Sequence, residues 1–218
     1  MRRLDIDRVV RILRLEAARF RRPSVGIVAL QSQDPFLVLV SCILSLRTQD
    51  QTTAEASARL FRLASTPEQM LQLSERTIVT AIYPVGFYRV KARTIRTICS
   101  DLVERWNSRV PAEIDDLLRL KGVGRKTANL VVTLGYGQPG ICVDTHVHRI
   151  ANRLGYVRTK EPDQTETALR RRLPREYWIE LNELLVTYGQ NICRPVSPRC
   201  GECRLADDCA RVGVSKRR

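Results

Sequence analysis

Apolar residues recur three or four positions apart along most of the chain, and polar residues fill the intervals. This spacing predicts helices over 4–20, 35–46, 52–64, 67–73, 75–82, 88–106, 113–120, 125–135, 145–154, 163–173 and 176–189. No stretch alternates apolar and polar positions as a half-buried strand would. Pro67 and Pro111 stand at helix entries and Gly86, Gly122 and Gly155 at exits, where each residue type suits the backbone. The expected fold class is all-α, without internal repeats or a low-complexity linker. Trp106 and Trp178 are assigned to its core.

In the first helix, Val9, Ile12, Leu13 and Leu15 form a rough apolar stripe among arginines. Asp5, Asp7 and Glu16 argue against an Arg-rich transit peptide, a class that avoids acidic residues. A chain of 218 residues, 44% hydrophobic, can bury one core or two small cooperating lobes. Its most apolar stretch, FLVLVSCILSL, is shorter than the roughly 18 residues of a membrane span. A soluble, cytoplasmic protein with no membrane contact is expected.

Charge narrows the class of partner. The formal net charge is +14, and 32 of the 37 basic residues are Arg. An excess of that size points to a polyanion, with nucleic acid the first candidate and genome-driven Arg enrichment the alternative. Arg clamps phosphate but stays protonated, whereas Lys can lose its proton and react. The scarcity of Lys therefore draws attention to Lys126.

Lys126 lies in LLRLKGVGRKTANLVV, where two short amphipathic helices meet at Gly122 and Gly124. Backbone N–H groups at such a turn, with those of Arg125 and the following helix start, can hold a phosphate without reading base sequence. An ordinary helical hairpin has the same glycines. The positive end of the second helix disfavours an ammonium at Lys126, which would suit a nucleophile; a surface Lys bonding phosphate is the alternative. Asp144, in VDTH, is both a candidate carboxylate and the expected N-cap of the helix starting near Thr145. His146 and His148 follow on that helix and are assigned to packing or phosphate contact.

Cys193, Cys200, Cys203 and Cys209 form a C-x6-C-x2-C-x5-C run able to wrap one metal centre. Disulfides fit poorly beside three further cysteines in apolar contexts and no secretion signal. Zinc competes, but structural zinc sites usually pair two short knuckles, and only Cys200 and Cys203 form one. The spacing favours a 4Fe-4S cluster.

With LVSCILSLRTQD, IYPVGFYRVKA, LKGVGRKTANLVV, VDTHVHRIANRLG and the cysteine run, the chain resembles the endonuclease III family over nearly its whole length. These are helix-hairpin-helix DNA glycosylases with AP-lyase activity. The resemblance implies a two-lobed fold: a bundle over 27–138, and a second lobe from 1–26 and 139–218 that carries an iron-sulfur loop at 193–209. It implies a catalytic Lys at Lys126, a catalytic Asp at Asp144, and the four cysteines as cluster ligands. It also implies extrusion of the damaged nucleotide from the duplex, because the anomeric carbon is unreachable in the stack.

Where the family often has a Gln that fills the vacated space, this chain has Arg47, with Gln49 two residues on. Phe87 matches an apolar position from which a second wedge would come; a core Phe is the alternative. Lys121 replaces a common Pro, adding charge beside the phosphate. Arg194, Arg199 and Arg204 are expected to present the cysteine loop to phosphate. The implied activity is removal of oxidised pyrimidines with strand nicking, by a monomer acting on double-stranded, nucleoid-associated DNA that carries a damaged base or abasic site. The alternatives are a mismatch or oxidised-purine glycosylase of the same superfamily and a non-catalytic iron-sulfur DNA-binding module.

Overall fold

The computed structural model describes residues 4–218. Among them every regular element is helical. The helices are α1 Ile6–Ala17, α2 Ser24–Ser32, α3 Pro35–Ser45, α4 Asp50–Leu63, α5 Pro67–Gln72 and α6 Glu75–Ile82, followed by α7 Tyr88–Arg105, α8 Ile114–Leu117, α9 Arg125–Leu130, α10 Thr145–Arg153, α11 Pro162–Arg172 and α12 Leu181–Asn191. The chain divides into two compact units. One is Ser24–Gln138; the other joins the segment ending at Pro23 to Pro139–Arg218.

In the unit Ser24–Gln138, α3 is the central element, in contact with α2, α4, α7 and α9. Every residue from Val38 to Leu44 is buried, as a helix apolar on all sides requires. Each large aliphatic side chain buried there contributes about 1.5–3 kcal/mol. The helix is started locally: Pro35 is in its first turn and Asp34 Oδ1 accepts from the Phe36 N–H at 2.8 Å. Ser74 does the same for α6, accepting from Thr77 N–H at 3.0 Å.

Helix α2 was not among the elements expected from the sequence. SVGIVALQS has no polar face to mark a period, and its cap comes from far along the chain. The Asp50 carboxylate accepts from the Ser24 N–H at 2.9 Å and from the Ser24 hydroxyl at 2.8 Å. The helix expected over 125–135 is α-helical only to Leu130 and continues as a π-helical turn, Val131–Gly135. There the Thr133 hydroxyl donates to the Asn129 carbonyl at 2.7 Å, competing for the oxygen that an α-helical N–H would use.

The other unit packs α1, α10, α11 and α12 around Val10, Leu13, Val147, Ile150, Leu185 and Tyr188. Its first helix is also tied to the cysteine loop by charge. Glu16, fully buried, accepts from Arg19 at 3.0 Å and from Arg204 Nε at 3.2 Å, and Arg8 pairs with Asp208 at 3.1 Å. The helix expected over 176–189 is displaced to Leu181–Asn191, because Arg175–Tyr177 forms a 3-10 turn. Trp178 is only half-buried there, its indole N–H donating to Leu173 O at 3.0 Å and its ring lying under Arg170 and Arg175. Trp106 is likewise half-buried at the end of α7, whereas Trp178 packs against the rim of the core cluster of its unit.

Replacing Asp50 with Ala should remove the cap of α2 at a cost of about 1–2 kcal/mol. Thermal unfolding followed by circular dichroism should show Tm lower by roughly 2–8 °C. An unchanged Tm would remove Asp50 from the account of that helix.

Candidate functional site

The glycine turn is built by backbone demand at Gly122. Its φ is +88°, and a Cβ there would lie 2.7 Å from Thr94 Cγ2 on α7, so only glycine fits. Val123 is buried and pins the turn, while Lys121 and Gly122 are exposed. Gly124 differs. Its φ is −101°, an extended value open to any residue, and a Cβ would meet nothing within 4 Å. What it contributes is an N-cap without a side chain, leaving the first amides of α9 accessible to an anion.

Arg125 is exposed and Lys126 half-buried in the first turn of α9. The helix lies against α3, where burial pushes the Cys42 thiol up to about 12 and the nearby Lys126 charge pulls the other way. Asn129 steadies this turn by donating to the Arg125 carbonyl at 3.1 Å.

Arg47 and Phe87, far apart in sequence, are brought together. Both are exposed, both have left-handed backbones (φ 51° and 58°), and the Arg47 guanidinium lies 5.6 Å from the Phe87 ring centroid. Phe87 is 60% exposed, which rules out a core role. Gln49 is exposed at the start of α4, where its carbonyl accepts from the Thr53 N–H at 3.0 Å. Lys91 sits beneath the Arg47 and Phe87 turns and was not singled out from the sequence. It was legible there as a lone charge in the apolar stripe of α7, in register with Ile95, Ile98 and Leu102.

In the other unit, Asp144 starts α10. Its Oδ1 accepts from the N–H groups of His146 (2.8 Å) and Val147 (2.9 Å), so the cap does not engage Oδ2. His146 packs against Gly189, where a Cβ would come within 2.3 Å of its Nδ1. His148 Nδ1 meets the Thr165 hydroxyl at 2.7 Å.

The four cysteines of the C-terminal run line one small cavity, along with Ile192, Pro198 and Val214. All four thiols are free and half-buried. Donors approach the sulfurs: the Tyr188 hydroxyl at 3.1 Å from Cys203 Sγ, Arg153 at 3.5 Å from Cys193 Sγ, and the Arg211 N–H at 3.4 Å from Cys209 Sγ. Burial raises the Cys203 and Cys209 thiols, and these donors oppose the rise at both. Among the described residues no group of three or more His, Cys, Asp or Glu side chains is arranged to hold a metal ion.

Of the arginines expected to face phosphate, Arg194 is exposed and Arg199 is half-buried with Glu202 at 3.6 Å. Arg204, still 60% exposed at its side chain, pairs with buried Glu16 and ties α1 to the loop. The buried Arg153 was also missed by sequence reading. It holds the loop by donating to the carbonyls of Arg194 (2.7 Å) and Pro195 (2.8 Å).

Residues 40–175 match the model of the HhH-GPD superfamily base excision DNA repair protein. The endonuclease III of Thermotoga maritima is 46% identical over 176 residues, covering 81% of this chain and 83% of that one. Among solved structures, a non-covalent endonuclease III-DNA complex superposes with a TM-score of 0.82 at 33% identity, over 94% of this chain and 95% of the other. A trapped endonuclease III-DNA covalent intermediate, in an estranged-adenine complex, gives 0.76 at 36% identity, over 81% and 83%. No helix of the described residues is long and apolar enough to cross a membrane. The turn at Gly122, the first-turn lysine behind it and these matches carry one conclusion: the chain belongs to the HhH-GPD superfamily, among its endonuclease III members, and is a DNA glycosylase of base excision repair.

Proposed function

We propose that the chain is a bifunctional glycosylase, which removes oxidised pyrimidines from duplex DNA and then nicks the strand 3′ to the abasic site. The observation that carries this reading is Lys126 itself, an amine half-buried in the first turn of α9 directly behind the Gly122 turn. A relative of similar fold has been trapped as a covalent intermediate with DNA, which is what an amine nucleophile forms.

The turn amides and Lys121 hold the backbone phosphate, and Arg125 adds charge beside them. The Lys126 amine attacks the anomeric carbon, a C–N bond forms, and the bond to the damaged base breaks with its electron pair leaving on the base. The Asp144 carboxylate stabilises the positive charge that develops on the sugar. Opening of the sugar ring gives an iminium. Loss of a 2′ proton to a base then expels the 3′ phosphate and cuts the strand. Arg47, Gln49 and Phe87 occupy the space that the extruded nucleotide leaves. The enzyme works as a monomer on cytoplasmic, nucleoid-associated DNA.

Cys193, Cys200, Cys203 and Cys209 hold a 4Fe-4S cluster. The four thiols border one cavity, and their C-x6-C-x2-C-x5-C spacing, with a single short knuckle, suits a 4Fe-4S centre better than one zinc. Bound there, the cluster supplies cross-linking of the loop; the approach of Tyr188, Arg153 and Arg211 to the sulfurs is the donor pattern thiolate ligands need. Arg194 and Arg199 on this loop then face phosphate.

Borohydride reduction with an abasic duplex should trap a covalent protein-DNA adduct that is absent in Lys126→Ala; wild-type protein that binds the duplex without adduct or nick would sink the lyase assignment. Asp144→Asn keeps an Oδ1 able to cap α10, so DNA affinity should persist while single-turnover excision falls by about 10²–10³. Undiminished excision would take Asp144 out of the reaction. Purified protein should be brown, with broad visible absorbance and about four irons per chain. A colourless preparation with stoichiometric zinc would overturn the cluster assignment.

A further inference from the structure

Lys91 is 6% exposed, yet its ammonium is fully engaged. Its Nζ donates to the carbonyls of Leu44 (2.7 Å) and Leu46 (2.6 Å) and to the Thr48 hydroxyl oxygen (2.9 Å), one acceptor for each of its three donors. The Thr48 hydroxyl is equally committed. It donates to Leu46 O at 3.2 Å and accepts from the Gly86 N–H at 3.1 Å. The two turns it joins touch so closely that a Cβ on Gly86 would lie 2.4 Å from the Arg47 carbonyl oxygen. The backbone N–H of Lys91 donates to Phe87 O at 3.0 Å. One residue thus grips the Arg47 turn with its side chain and the Phe87 turn with its main chain.

Both turns carry an exposed side chain on a left-handed backbone, a conformation that costs a non-glycine residue free energy unless its surroundings impose it. A Lys serving only to finish α3 would not require the following turn to display Arg47 against Phe87. We propose that Lys91 is a positioning residue for nucleotide extrusion, holding the Arg47 and Phe87 turns together so that the two side chains enter the duplex as one probe. The proposal rests on the reading of Arg47 and Phe87 as the residues that fill the vacated space. Lys91 touches no DNA itself; it sets the separation and direction of the pair.

The test compares wild type with Lys91→Met, Thr48→Val, Thr48→Ser and the double variant Arg47→Ala/Phe87→Ala. Stopped-flow fluorescence of 2-aminopurine beside a 5-hydroxyuracil in duplex DNA reads extrusion, and nicking of a single-stranded abasic oligonucleotide reads chemistry that needs no strand opening. Lys91→Met and Thr48→Val should slow extrusion by roughly tenfold, with single-strand nicking within about twofold of wild type, and Thr48→Ser should behave as wild type. Parallel losses on both substrates would mark general structural damage and overturn the proposal. Normal extrusion in Lys91→Met and Thr48→Val, with slow extrusion in the double variant, would overturn it while leaving the probe reading intact. Normal extrusion in the double variant would remove the probe reading and the proposal together.

Discussion

A helix that ends inside a protein strands carbonyl oxygens that must find donors, and the C-terminal end of α3 imposes this constraint on its whole unit. An unmet carbonyl costs about 1–3 kcal/mol when buried. The donor that arrives is an ammonium, and burying it is expensive in turn: desolvation pulls Lys91 down to about 8. Three bonds to oxygen offset that cost only while all three acceptors stay in place. The Leu44–Thr48 backbone and α7 therefore hold each other to one arrangement, and neither can shift alone.

The same helix carries the constraint further. One turn beyond Lys91, Thr94 fills the space beside Gly122 that any Cβ would occupy. Helix α7 thus supports the exposed pair Arg47 and Phe87 near its start and the Gly122 turn beside its next turn. Rigid support of this kind lets a glycosylase apply force to a duplex without deforming itself. Lys126 follows directly from the Gly122 turn, and α9 rests on α3, the helix whose end Lys91 closes. Lys126 and the Arg47–Phe87 pair therefore share one scaffold.

In the other unit, charge and polarity do comparable work at the cysteine loop. Buried Glu16 gathers Arg19 and Arg204, and Arg153 fixes the backbone at Arg194 and Pro195. These contacts give the loop partners in α1 and α10 in addition to the four thiols. Asp144 caps α10 with one oxygen of its carboxylate, because Oδ1 serves the amides of α10 and Oδ2 is not committed to them.

What the sequence determined by itself is what depends on near neighbours. Periodicity located most helices, Asp144 announced the cap it makes at the start of α10, Gly122 announced its left-handed turn, and the cysteine spacing announced a shared cavity. Tertiary structure alone decided whatever joins distant residues. Asp50 caps α2 from 26 positions away, so that helix left no local signal, and the pairing of Arg204 with buried Glu16 joins residues near opposite ends of the chain. The left-handed backbones of Arg47 and Phe87 are unfavourable for their residue types and flank a contact in which Lys91 reaches across 47 positions to Leu44. Local propensity is written in local sequence; a buried charge takes its meaning from acceptors that only the fold brings to it.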